Sequence, residues 1–154
     1  MEIKTRKELL EKAFEARKRA YSPYSGFSVG AALLCEDGEV FLGCNIENAS
    51  FSPTCCAERV AIFKALSERH AKDMPRFTAI AVVGGADQAS AEKTPCYPCG
   101  VCRQVMAEFM YPDSELVLSD GGEARSMPIS KLLPYAFKLC DEPDDTEEAD
   151  DGQS

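Results

Sequence analysis

Apolar residues recur near helical spacing from about residue 5 to residue 20, where Leu9, Leu10, Ala13, Phe14 and Ala16 mark a stripe among many charges. SPYSGF, with Pro23 and Gly26, breaks that pattern. FSVGAALLCEDGEVFLGCNIE then reads as two strands joined at Asp37-Gly38, a pair favoured in tight hairpin turns. Helical spacing returns over residues 56–69, with Val60, Ala61 and Phe63 near one face. FTAIAVVGG is a continuous apolar run ending in glycines, the pattern of a strand buried on both sides. DQASAEKTPCYP predicts a loop leading into a helix from Cys99 to Met110. SELVLSD predicts another strand, Gly121-Gly122 a turn, and ISKLLPYAF a final short helical segment. Strands alternating with helices predict an α/β fold, one sheet carrying helices on both faces.

Length and composition narrow the class. The 154 residues suffice for one domain with a real core, and the chain has no internal repeat and no interdomain linker. No apolar signal core follows the charged first helix, and no run of 18 apolar residues occurs, so a cytoplasmic protein is expected. In that compartment eight cysteines point to metal binding or catalysis rather than to a disulfide framework. The formal charge of −9 misleads, because residues 141–154 carry eight acids and no base. The remaining body, residues 1–140, is close to neutral, 18 acids facing 17 bases. It lacks the basic excess that a phosphate backbone requires. The acidic tail has too little apolar surface to fold and is expected to be disordered.

The chemistry concentrates in two clusters. In CYPCGVCRQV, Cys96, Cys99 and Cys102 stand three apart, and thiols at i and i+3 of a helix share one side. Pro98 is placed to start that helix, whose N-terminus favours negative sulfur. This selects Cys99 and Cys102 as a pair and leaves Cys96 in the loop. Alone, the pair suits zinc, redox chemistry or packing. In SPTCCAERVAIF, Cys55, Cys56 and Glu58 stand at the head of another helix. A four-cysteine structural site would need a second CxxC, which is missing. Three thiolates beside a carboxylate are instead what metal-assisted activation of water requires.

Cys56-Ala57-Glu58 followed by Pro98-Cys99-Gly100-Val101-Cys102 resembles the zinc-dependent nucleoside deaminases. The likeness is greatest to the small homotetrameric cytidine deaminases. It runs in order through SPYSGFSVGAALL, GCNIENAS, CCAERVAIFKA, PCGVCRQV and LLPYAF, over most of residues 21–137. The resemblance implies a three-layer α/β/α sandwich around a mixed sheet, in a homotetramer with shared active sites. It implies one zinc ion per subunit on Cys56, Cys99 and Cys102. Cys55, Cys35, Cys44 and Cys140 become small packing residues. Glu58 would carry protons from the attacking water to N3 of cytosine and to the leaving ammonia. Cytidine and 2′-deoxycytidine would yield uridine and 2′-deoxyuridine, a step of pyrimidine salvage.

Other residues take roles around that centre. Three thiolates leave a zinc site of net negative charge, which Arg59, Arg103 and Gln104 could offset by hydrogen bonding to sulfur. Asn45 and Glu47, at i and i+2 of a strand, place an amide and a carboxylate on one face, where a sugar hydroxyl could meet both. An exposed strand edge would look the same. The resemblance assigns the pair to the ribose 3′-hydroxyl, Phe27 to stacking on the base, the backbone near Ala57 to the base edge, and Phe137 to a neighbouring subunit's site. Phe51 departs from the family, standing where many relatives carry Tyr. Within the family, a deaminase of aminonucleoside antibiotics (blasticidin S type) is the alternative, and Asn45-Ile46-Glu47-Asn48 with Arg59 favours cytidine. A polynucleotide deaminase would need a basic groove. A structural zinc module would not need Glu58.

Overall fold

The computed structural model describes residues 1–69 and 77–139, so the acidic tail and Cys140 lie outside the described residues. Its elements are α1 (Ile3–Arg17), β1 (Ser28–Cys35), β2 (Val40–Cys44), α2 (Ala57–Glu68), β3 (Phe77–Gly85), α3 (Gln88–Lys93), α4 (Gly100–Phe109), β4 (Glu115–Asp120) and β5 (Glu123–Pro128). A single 3₁₀ turn, Ile129–Lys131, follows β5. The strands form one sheet in the order β2-β1-β3-β4-β5. Among the described strands only β3 and β4 pair in parallel, with α3 and α4 in the crossover between them.

Alternation along the strands decides which helix each face receives. Ala31, Leu33, Ile80, Val82, Leu116 and Leu118 point to one side, where they pack with Ala57, Ala61 and Ile62 of α2 and Cys102 and Met106 of α4. Ala32, Ala79, Ala81, Val83 and Val117 point to the other, against Leu9, Leu10 and Ala13 of α1. Both faces are therefore covered, giving the expected α/β/α sandwich around a mixed sheet.

The helix that carries the Cys56–Glu58 motif is seated directly on the strand backbone. A Cβ on Gly43 of β2 would collide with the Ala57 carbonyl and with Ala61. Gly43→Ala should therefore cost about 1–3 kcal/mol, the usual penalty for overpacking, read as a lower urea midpoint. An unchanged midpoint would show that α2 does not rest on Gly43.

Several expected elements change. The stretch expected to be a loop contains α3, because Asp87 and Ser90 cap it reciprocally: Asp87 Oδ1 accepts the Ser90 N–H at 2.7 Å and Ser90 Oγ accepts the Asp87 N–H at 3.2 Å. The strand β5 was not expected. The final helix shrinks to its 3₁₀ turn, since Pro134 and a positive φ of 56° at Tyr135 end helical geometry. On α2 the buried face is Ala57, Glu58, Ala61, Ile62 and Ala65, while Phe63 faces outward.

Candidate metal centre and active site

Two helices begin at the same place. Cys56 is the N-cap of α2 and Cys99 the N-cap of α4, both with extended backbone and neither making a side-chain cap. Their sulfurs lie 3.7 Å apart, and Cys102, on the first turn of α4, has its sulfur 3.5 Å from that of Cys99. All three sulfurs fall within 4.8 Å of one another. Thiolates about 2.3 Å from a common tetrahedral zinc ion would stand roughly 3.8 Å apart, so the donor set and its spacing fit that metal. Among the described residues no fourth His, Cys, Asp or Glu joins the group. Three protein donors leave a coordination position open, the arrangement of catalytic rather than structural sites.

The protonation pattern is already uneven. A hydrogen bond from the Cys102 thiol, aided by Arg59 and Cys99 against the cost of burial, brings Cys56 down to about 5. The same hydrogen bond and burial push Cys102 up. Metal binding would displace the protons that remain. Glu58 is buried, only 4% exposed, in the first turn of α2. Burial pushes its carboxyl up to about 7, against its own backbone N–H and the nearby Arg59 charge.

Arg59 reaches sulfur as expected. Its Nη2 donates to Cys56 Sγ at 3.5 Å and to the Thr54 carbonyl at 3.4 Å, and the Cys56 contact raises its own pKa. Thr54 was missed from sequence, because a backbone acceptor leaves no mark in residue type. Arg103 and Gln104 do not bond sulfur, a correction to the expected pattern. Arg103 donates to the carbonyls of Pro98 (2.8 Å) and Leu132 (3.1 Å), and Gln104 donates to that of Phe137 (3.0 Å). Both are spent on backbone carbonyls and tie the chain after β5 to this helix.

Asn45 and Glu47 also sit differently from expectation, since β2 ends at Cys44 and both lie beyond it. Asn45 clamps β1's start, accepting the Val29 N–H at 2.8 Å and donating to the Phe27 carbonyl at 2.8 Å. Glu47 Oε1 accepts the N–H groups of Tyr24 and Ser25 at 3.1 and 3.2 Å. Together they hold the segment that presents Phe27, which is 43% exposed. Phe137 is more exposed still, at 68%. Cys55 joins no cluster among the described residues. Its backbone forms an isolated bridge with Ile46. Cys96 is half-buried, and burial, with the charges of Glu58 and Cys56 adding, pushes its thiol up to about 12.

Known proteins share this arrangement's sequence. Residues 3–117 match the family described as "Cytidine and deoxycytidylate deaminase zinc-binding region". The cytidine deaminase of Halalkalibacterium halodurans is 48% identical over 137 residues, covering 88% of this chain and 96% of the relative. That of Mycobacterium tuberculosis is 42% identical over 131 residues, covering 85% and 88%. Among solved structures, the cytidine deaminase of Burkholderia pseudomallei superposes with a TM-score of 0.73 at 48% identity, over 84% of this chain and 97% of that one. The M. tuberculosis enzyme superposes with a TM-score of 0.67 at 38% identity, over 86% and 96%. The matched zinc-binding region takes in both helix ends that bring the thiols and Glu58 together, and the likeness extends over most of the fold: this chain belongs to the cytidine and deoxycytidylate deaminase family.

Proposed function

We propose that this chain hydrolyses cytidine and 2′-deoxycytidine to uridine and 2′-deoxyuridine, releasing ammonia. The observation that carries the reading is a buried carboxylate, Glu58, beside three thiols gathered at two helix N-termini. Cys56, Cys99 and Cys102 would hold a zinc ion, which would supply the Lewis acidity that makes water nucleophilic near neutral pH. Glu58 takes a proton as water adds to C4 of the cytosine ring, and gives it to N3. A second transfer protonates the exocyclic nitrogen as the C4–N bond breaks, so C4 keeps the oxygen and ammonia departs. Arg59 offsets the charge of the thiolates, and Phe27 and the backbone at Ala57 hold the base. The direct test is the ultraviolet signal of cytidine loss, run with and without a chelator. Cytidine left intact by the zinc-loaded protein would overturn the reading.

The sugar is read by Asn45 and Glu47. Each spends only part of its hydrogen-bonding capacity on the chain, Glu47 through Oε1 alone, so the 3′-hydroxyl can be met by rigidly held groups. Removing that hydroxyl from the substrate should cost about 1–3 kcal/mol per polar group left unpaired, measured in kcat/KM. Removing the 2′-hydroxyl should cost much less. Equal losses would refute the assignment.

The active form is a homotetramer in which Phe137 is lent to a neighbour. Tyr135, Phe137 and Leu139 are all exposed in one stretch, which suits contact with another copy. Light scattering should report four chains, and a fully active monomer would sink the idea. The working compartment is the cytoplasm and the role pyrimidine salvage. Seven described cysteines are free thiols, and no helix of the described residues is long and apolar enough to cross a membrane.

A further inference from the structure

β3 delivers Gly84 to the side of the sheet that carries the site. Ile80 and Val82 face α2 and α4, and the period of two puts Gly84 on the same face. There it stands opposite Val29 of β1. A Cβ on Gly84 would lie 2.6 Å from Cys96 Sγ, 2.9 Å from Phe27 Cε1 and 3.1 Å from Val29 Cγ2. The thiol and the phenyl ring therefore occupy the volume that any side chain at 84 would need. The strand end cannot retreat to make room. Gly85 faces the opposite way onto Ser90 and Ala91 of α3, and its carbonyl accepts from Arg17 Nη2 at 2.7 Å.

We infer that Gly84 and Cys96 are a fitted pair that positions Phe27 as a wall of the nucleoside pocket. The inference rests on the role given to Phe27 above. The backbone on both sides of that ring is already fixed, the Phe27 N–H donating to Ser25 Oγ at 3.0 Å and the Phe27 carbonyl accepting from Asn45. The ring's remaining freedom is then set by what lies behind it. A methyl added at 84 pushes the ring toward the substrate, whereas deleting the sulfur at 96 returns a similar volume. Changes that conserve volume are the ones packed sites tolerate. Neither residue touches the reacting atoms, so both act through Phe27.

The test uses the full chain loaded with zinc, measuring KM and kcat for cytidine, zinc content and the thermal midpoint. Gly84→Ala should raise KM about tenfold or more, with kcat much less affected and zinc retained. The double variant Gly84→Ala/Cys96→Ala should recover most of that loss. Cys96→Met loads the same contact from the other side, should raise KM likewise, and carries the test if Gly84→Ala does not fold. KM unchanged in both single variants, with only the midpoint lowered, would make the pair purely structural and overturn the inference. A double variant no better than Gly84→Ala would also overturn it. A zinc-loaded wild type inactive on cytidine would instead overturn the function. The fitted pair would then be judged on the midpoint alone, and a midpoint not recovered in the double variant would refute it.

Discussion

Glu58→Gln is expected to abolish turnover while zinc content and folding stay as in the wild type. Glutamine nearly keeps the shape of a side chain that is 4% exposed, so packing in the first turn of α2 should not change. Burial already works against the charged form of this carboxyl, so a neutral replacement meets no new desolvation cost. Loss of a favourable acid at a helix start is worth on the order of 0.3–1 kcal/mol. What disappears is the acceptor for water's proton and the donor to N3 and ammonia. General acid–base help is typically worth about 10²–10⁴-fold, and one carboxyl serving several transfers puts the loss at or beyond the upper end. A zinc-replete Gln variant deaminating cytidine within about tenfold of wild type would end the mechanism.

Cys99→Ala should strip both metal and activity. Altering groups that merely support metal ligands costs about 10–100-fold in affinity, so deleting one of three direct donors should exceed that. Cys55→Ala should keep metal and activity, because Cys55 lies outside the sulfur cluster, and Cys96→Ala should keep the metal for the same reason. Metal analysis of purified variants reads all three. Full zinc occupancy in Cys56→Ala, together with its loss in Cys55→Ala, would show that the ligand is the other thiol of the adjacent pair.

The parts of the fold legible in sequence are those whose burial is simple. FTAIAVVGG reads as an inner strand because β3 is covered on both faces, and the α1 stripe reads because one side meets a sheet and the other water. β5 is illegible for the converse reason. It mixes polar Glu123, Arg125 and Ser126 with small or partly covered apolar residues, and it exists because β4 pairs with it across Gly121 and Gly122 at φ 62° and 86°. The buried face of α2 differs from the expected one because close seating on Gly43 selects small residues at Ala57 and Ala61 and turns bulky Phe63 outward. At the site, the thiols and Glu58 were legible through spacing and family motif. The partners of Arg103, Gln104 and Asn45 were not, since Leu132, Phe137 and Val29 offer backbone groups that only the tertiary fold brings near.

Cys56 and Cys99, which cap two different helices, are 43 residues apart in the chain. All of α2, β3 and α3 lies between them, and β3 must find its place beside β1 before the two helix ends can face each other. Closing so long a loop is entropically unfavourable, and here apolar sheet packing rather than a metal offsets it. In small zinc fingers the ion drives folding, and without it the chain stays unfolded. In this chain the apolar sheet is expected to hold both helix ends without the ion, so a chelator should remove activity while far-ultraviolet circular dichroism stays that of the folded protein; unfolding on chelation would show that the ion holds the fold. On that expectation zinc supply would set how many molecules are active rather than how many stay folded.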